Sequence, residues 1–256
     1  MIQKVIILPD IHYPKHSKEA ISAVFSFIKW FKPTTIVLLG DALEMDAINT
    51  WKLARGSKKF FENKRLRQEY EGFDREILTP LEKLCKNAKK IYMGGNHEEW
   101  VNTLIDKDPQ LEGMIEPEIC LNLKKRGWTW IPYVVSDENG SKRGMIQFGK
   151  LILMHGTHWN KYHSAKTADE FSKSVAYGHV HDVQFYTKTF SDDSYGFHSA
   201  QSIGCLCNTS PDFMRGSINK WINAFGVLYV QPDGHFNLYT PIIVKGRFVY
   251  AGKVFK

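Results

Sequence analysis

The sequence predicts an α/β fold, two packed mixed β-sheets flanked by helices, in a single domain spanning residues 1–256. Two observations point there. The N-terminal third reads strand, helix, strand, the order of a βαβ unit, and from Trp128 onward the chain turns β-rich. Strands joined through a helix pair in parallel and strands joined by tight turns pair antiparallel, so both kinds of pairing are expected. With 43% hydrophobic and 13% aromatic residues, the chain has ample apolar surface for a packed core. No repeat, linker or low-complexity segment divides it.

The elements follow in order. "VIILP" (Val5–Pro9) is continuous, apolar and β-branched, as a strand buried on both faces must be. Ser17 is placed to cap a helix through about Phe31, with Ala20, Val24, Phe27, Ile28 and Phe31 on one stripe. "TTIVLLGD" is a second strand ending in a turn and Asp41. Periodicity is lost over Asn49–Asn63, which is basic and aromatic. A long helix is expected over Lys64–Asn87, kinked or divided by Pro80. "KKIYMGGNHEEW" supplies a third strand, a Gly-Gly turn and a helix opening near Asn96, and another short helix is expected around Pro117–Lys125. Candidate strands come next at Thr129–Val135, Met145–Phe148, Leu151–His155, Val175–Tyr177, Val183–Phe190 and Phe197–Ile203. Ala224–Val230, a "QPDG" turn, Phe236–Tyr239 and Arg247–Val254 complete them, with one helix, His163–Lys173, interposed.

Composition narrows the function. A net charge of +7 and a pI near 9.1 bias the chain mildly toward polyanionic partners. No apolar run reaches the length of a membrane span, so no membrane partner is expected. "MIQKVIILPD" meets an acid too soon for a secretory signal, and the four scattered cysteines do not form a disulfide framework. A reducing, cytoplasmic setting is expected. Cys205 and Cys207 lie two apart, with no second pair to complete a metal site of the usual spacing.

The chemistry lies at the strand ends. The first strand ends in Asp10-Ile11-His12, the second in Gly40-Asp41, and the third in Gly95-Asn96-His97-Glu98. "LILMHG" ends at His155, and "VAYGHVHD" ends at His179 and His181. In α/β sheets, ligands bind beyond the carboxyl ends of the strands. Carboxylate and amide oxygens with imidazoles suit divalent transition metals, and seven ligands fit two ions sharing a bridging carboxylate. One such piece is usually a turn or a surface histidine; five in order are not.

These blocks resemble the pattern of the calcineurin-like metallophosphoesterases: D-x-H, G-D-x-x-D, G-N-H-[DE], H and G-H-x-H, spread over nearly the whole chain. The stand-alone proteins of phages and bacteria are the branch it looks most like. The resemblance implies a four-layer αββα sandwich in which Asp10, His12 and His181 hold one metal, Asn96, His155 and His179 hold the other, and Asp41 bridges them. It implies that a bridging hydroxide attacks phosphorus while His97 assists the leaving group. Glu98 is expected to orient His97, or else only to favour a helix start. Manganese is the favoured ion, with iron, zinc, nickel or magnesium as alternatives. Glu44 stands where the pattern has Asp, and the "RG" that follows this block in Ser/Thr protein phosphatases is missing.

The substrate expected is a phosphodiester, DNA or RNA, with nuclease-like action. Lys58, Lys59 and Arg65, in the stretch Trp51–Arg67, could neutralise a phosphate backbone while its aromatics stack on bases; a solvated helix start is the competing reading. His158, close behind His155, is expected to line the pocket, and Arg215, in the loop Pro211–Trp221, to touch a phosphate. The alternatives are a phosphomonoesterase acting on proteins or nucleotides, a small-molecule or cyclic-nucleotide phosphodiesterase, and a non-catalytic binding scaffold.

Overall fold

Strand β1 (Gln3–Leu8) lies inside a six-stranded sheet, and its alternate residues serve two different cores. Val5 and Ile7 face a second sheet; Ile6 and Leu8 face helices. Burial on both sides accounts for the unbroken apolar run in the sequence. The structure is a computed structural model and describes residues 1–138, 140–189, 196–211 and 217–256.

The first half contributes β2 (Thr35–Leu39), β3 (Lys89–Met93), β4 (Trp128–Ile131), β5 (Val134–Asp137), β6 (Gly140–Arg143), β7 (Met145–Phe148) and β8 (Leu151–Met154). The second contributes β9 (Ser174–Tyr177), β10 (Val183–Thr189), β11 (Phe197–Ile203), β12 (Gly226–Val230), β13 (Phe236–Tyr239), β14 (Phe248–Tyr250) and β15 (Lys253–Phe255). The helices are α1 (Lys18–Phe31), α2 (Thr50–Ala54), α3 (Leu66–Phe73), α4 (Thr79–Leu84), α5 (Glu99–Ile105), α6 (Pro117–Cys120) and α7 (His163–Glu170). The larger sheet runs β13-β12-β1-β2-β3-β4, with β1 to β4 parallel and β12 and β13 antiparallel. The smaller runs β10-β11-β9-β8-β7, parallel from β8 through β9 to β11 and antiparallel at both edges.

Four layers result. Val37, Leu39, Ile91 and Met93 meet Phe148, Leu151, Leu153, Ala176 and Ile203 between the sheets. The stripe Ala20, Val24, Phe27, Ile28 and Phe31 of α1, with Phe73, Leu78 and Leu81, covers the outer face of the larger sheet. Ser17 caps α1, its hydroxyl accepting from the Ala20 N–H, as the sequence predicts. Ala168 of α7 packs with Met154, Val175, Tyr177 and Ala200 on the outer face of the smaller sheet. Among the described residues, no helix is long and apolar enough to cross a membrane.

Several expectations are corrected. The helix expected over Lys64–Asn87 is present but shorter, running from Leu66 to Leu84, and it is divided into α3 and α4 by a π-helical turn, Asp74–Leu78, just ahead of Pro80. Pro80 stands in the first turn of α4, where its missing N–H forfeits no bond of that helix. The strand expected over Thr129–Val135 is two, β4 and β5, in different sheets, because Pro132 between them has no N–H to donate to a ladder. Arg247–Val254 is a hairpin, β14 and β15, turning at Ala251 and Gly252 with φ of 50° and 75°. Positive φ at both central residues fits the hairpin twist, and Ala at the first is why the turn escapes notice in the sequence. Val183–Phe190 is described as far as Thr189; Phe190 lies outside the described residues.

Candidate metal centre

Strand register brings the expected ligands to one edge. Leu8 pairs with Leu38, Leu39 with Met93, and Met154 with Tyr177, so the parallel strands of each sheet finish nearly level. Asp10 and His12 follow β1, Asp41 follows β2, Asn96 and His97 follow β3, His155 follows β8, and His179 and His181 follow β9. The loops after β1 and β2 are zipped together: His12 N donates to Asp41 O at 2.9 Å and Tyr13 N to Ala42 O at 2.9 Å, while Glu44 N returns to Tyr13 O at 2.9 Å.

The backbone there is bent sharply. Asp10, His12, Asp41, His179 and His181 have φ of 46°, 52°, 46°, 69° and 63°. Left-handed backbone costs a non-glycine residue about 1 kcal/mol, so these positions together carry roughly 5 kcal/mol of strain. Two glycines let the blocks close. A Cβ on Gly95 would fall 2.1 Å from Asp41 Oδ1, and one on Gly178 would fall 2.2 Å from Asp10 Oδ2.

Among the described residues four groups bring ligand atoms within 4.8 Å of one another. Two are His12, Glu44 and His97, and His181, Cys205 and Cys207. The other two match the expected sets, the first being Asp10, His12 and His181, the second Asp41, His155 and His179. In the first of these expected sets, His12 Nε2 and His181 Nε2 face each other at 3.1 Å, and His181 Nε2 is 3.2 Å from Asp10 Oδ1. In the second, Asn96 Oδ1 lies 3.0 Å from His155 Nε2 and 2.8 Å from His179 Nδ1, and Asp41 Oδ2 is 3.3 Å from His155 Nε2. Asp41 Oδ2 is also 3.7 Å from His12 Nε2, so this carboxylate stands between the sets.

The surroundings fix which ring atoms look inward. His155 Nδ1 donates to the Leu39 carbonyl at 3.0 Å, leaving the Nε2 lone pair toward Asp41 and Asn96. His12 Nδ1 is bound by Glu44 Oε2 at 2.8 Å, leaving Nε2 toward His181. Acceptors thus point at acceptors in a buried space, an arrangement that calls for positive charge at its centre. The ionisations express the same demand. Burial disfavours charged His12, but the Glu44 hydrogen bond and the Glu44, Asp41 and Asp10 carboxylates outweigh it and raise its pKa to about 10. Burial likewise opposes charge on His155, and Asp41 overrides it, raising the pKa to about 9. Against its own burial, Asp41 is held well below the carboxylate range by His155 and His97. His179 goes the other way, lowered to about 4 by burial and then by His155. Divalent cations satisfy all of these groups at once, so the donor set fits a metal pair.

A cavity of about 260 Å³ opens over these residues, lined also by Lys15, Cys207, Asn208 and Trp221. His97 lines it, with Nδ1 donating to the Glu44 carbonyl at 2.7 Å and Nε2 3.9 Å from Asp41 Oδ2. Its ring stacks on Trp100 at 4.2 Å, and burial pushes its pKa below the usual imidazole range. Glu98 does not orient His97 as expected. Its Oε2 accepts from the N–H groups of Asp41 and Gly95, and its Oε1 from Leu43 N–H and the Tyr92 hydroxyl, at 2.8–3.1 Å. A carboxylate followed by a helix reads from sequence as a partner for its neighbour; here it braces the loops after β2 and β3.

The expected substrate-binding residues scatter. His158 Nε2 binds Glu170 on α7 at 2.8 Å and does not line the cavity. Lys58 and Lys59 are exposed and line neither that cavity nor its neighbour, whereas Arg65 lines the neighbour. Arg215 lies outside the described residues, though Pro211 and Trp221, which bound its loop, line the metal cavity. Sequence reasoning noted Glu44 only as a departure from the family pattern and gave it no role, whereas it binds His12 and Lys15; Lys15 itself carried no signal. The Cys205–Cys207 pair is joined by His181: the three offer ligand atoms within 4.8 Å of one another, with Cys207 Sγ 3.7 Å from His181 Nδ1.

The fold and site define an α/β sandwich with a histidine- and carboxylate-lined centre at its strand ends. No protein-family model matches the chain, and no curated protein matches it. Among solved structures it is similar to Vps29 from Chaetomium thermophilum, at 10% identity over 95% of this chain and 92% of that one, with a TM-score of 0.46. It is also similar to a single-mutant Vps29 from Entamoeba histolytica, at 11% identity over 95% and 94%, TM-score 0.43. A third is vacuolar protein sorting 29 from Cryptosporidium parvum, at 12% identity over 96% and 100%, TM-score 0.41. Likeness at this level leaves the functional argument to the site itself.

Proposed function

We propose that this chain is a dinuclear-metal-dependent phosphoesterase of the calcineurin-like type that hydrolyses phosphodiesters, with single-stranded nucleic acid as the substrate class. The observation that carries the reading is the convergence of Asp10, His12 and His181 with Asp41, Asn96, His155 and His179, inward-facing acceptors with Asp41 between the two sets. Asp41 would be shared, Asp10, His12 and His181 would hold one ion, and Asn96, His155 and His179 the other. Such ions supply a nucleophile at neutral pH and offset the charge on the phosphoryl group.

The chain's own residues do the rest. Glu44 and the Leu39 carbonyl fix the tautomers of His12 and His155 before substrate arrives. Glu98 locks the loops that carry Asp41 and Asn96. Because Nδ1 of His97 is engaged by a backbone carbonyl, Nε2 is the atom turned toward the cavity; burial favours the neutral ring, so donation from Nε2 to the departing oxygen draws on the minority protonated form. Lys15, on the cavity wall, adds a fixed cation for the phosphate.

Protein loaded with manganese is expected to cleave bis-p-nitrophenyl phosphate faster than p-nitrophenyl phosphate, with about two ions per chain by elemental analysis. A reversed preference selects a monoesterase, and bound metal without turnover of either selects a scaffold.

A further inference from the structure

A second cavity, of about 370 Å³, abuts the metal cavity, and Lys15 lines both. The Lys15 ammonium is held by Glu44 Oε1 at 2.7 Å and by Asp46 Oδ2 at 2.7 Å. Glu44 in turn holds His12 at 2.8 Å, so the wall between the cavities is two hydrogen bonds from a candidate metal ligand. On the far side Lys64 also reaches Asp46, at 2.5 Å, and its ammonium lies 3.5 Å above the Phe60 ring. Arg65 completes the cationic lining, and its side chain donates to the Lys64 carbonyl at 2.8 Å.

We propose that this second cavity is a subsite for the neighbouring phosphate of a single-stranded polynucleotide whose scissile phosphate lies over the metal centre; the assignment rests on the phosphodiesterase reading above. The charge balance favours an anion. Lys15, Lys64 and Arg65 stand against Glu44, Asp46 and Glu69, and because Glu69, pushed up to about 8 by burial, is mostly protonated near neutral pH, one positive charge is left in excess. The lysines are also pre-positioned: each is pinned to Asp46, so little side-chain freedom is lost when a phosphate enters. A monoester or an isolated diester with no flanking phosphate can meet Lys15, which lines both cavities, but not Lys64 or Arg65. The subsite therefore selects polymers over small esters.

The test compares wild type with the double variant Lys64→Gln/Arg65→Gln and with Lys64→Arg, all loaded with manganese. KM and kcat are read on a short oligothymidylate and on bis-p-nitrophenyl phosphate. In the double variant the oligothymidylate KM is expected to rise about 10-fold more than that of the small diester, with Lys64→Arg close to wild type. The dependence of log KM on log salt should flatten by about 0.7 for each phosphate that the variant no longer neutralises. Equal changes on both substrates, or loss of bound metal, would mean that the lysine and arginine merely prop the loop, and the subsite fails. If wild type cleaves neither compound, the phosphodiesterase reading falls by itself. Anisotropy of labelled oligothymidylate then judges the subsite: weaker binding by the double variant supports it, and equal affinity overturns it.

Discussion

At the strand ends, every candidate ligand is gripped from several sides; along Trp51–Arg67, side chains stand on short helical turns in contact with water. His155 is 1% exposed and engaged through both ring nitrogens, whereas Trp51 is 68% exposed. Phe60 and Phe61 pack edge-to-face on each other, and Lys52 and Lys64 lie over Phe60, so the Phe60 ring is not presented as a free platform for a base. One region is over-determined and strained; the other is tethered mainly where Lys64 meets Asp46. The contrast separates chemistry from recognition. A polyanion contact tolerates a loosely held side chain, because a charge in solvent acts over several ångströms. A metal pair tolerates none, since its ligands must be held near ideal distances.

The largest effect should come from the residue between the donor sets. Asp41→Asn keeps the shape but removes the charge that both sets face. Turnover of bis-p-nitrophenyl phosphate is expected to fall by about 10³-fold or more, and elemental analysis should find fewer than two ions per chain. Retention of both ions at wild-type affinity would show that Asp41 is not shared. His97→Ala should cost about 10²-fold in kcat while both ions stay bound, because its ring faces the cavity from outside the seven proposed ligands. Loss of metal from that variant would move His97 into the ligand shell.

Next in size is a purely steric break. Gly178→Ala places a methyl 2.2 Å from Asp10 Oδ2, on backbone that carries His179, whose N–H Asp10 accepts at 2.9 Å. Overpacking of this kind costs about 1–3 kcal/mol, a fall in Tm of roughly 2–10 °C for a chain of this size. Manganese should restore part of that loss in wild type and less in the variant, since ligand binding stabilises only a fold that can bind. An unchanged melting curve would show that the strand ends have slack.

How much of this was legible in the sequence follows the same divide. β1, β2 and β3 were visible because burial on both faces demands unbroken apolar runs, and the ligand blocks were visible because each directly follows such a run. The division at Pro132 and the β14–β15 hairpin were passed over: Thr129–Val135 and Arg247–Val254 are apolar enough to read as single strands. The breaking signals inside them are brief, a single Pro132 in one and, in the other, the turn Ala251-Gly252 with its unusual first residue. Within the site, side-chain targets stayed hidden. Glu98 sits beside His97 in the chain but bonds Asp41 N–H, 57 residues away, and no local pattern encodes that choice. His158 stands three residues after the candidate ligand His155, yet its partner on α7 takes it out of the cavity. Proximity in sequence located blocks, not side-chain partners.

The smallest effect tests the exposed region directly. Lys58 and Lys59 line neither cavity and sit on the short turn Lys58–Phe61. Any contribution they make to binding a polyanion is therefore screened and sequence-blind. An exposed charge pair is worth about 0.2–1 kcal/mol, so Lys58→Gln and Lys59→Gln should each weaken oligothymidylate binding by roughly 1.4–5-fold at low salt. The difference should shrink toward nothing near 1 M salt, where the Debye length is only about 3 Å. kcat should hold, because neither lysine touches the strand ends. A salt-insensitive loss, or one that appears in kcat, would place these lysines against the substrate near the metal centre and erase the distinction between a rigid catalytic rim and a loose electrostatic approach.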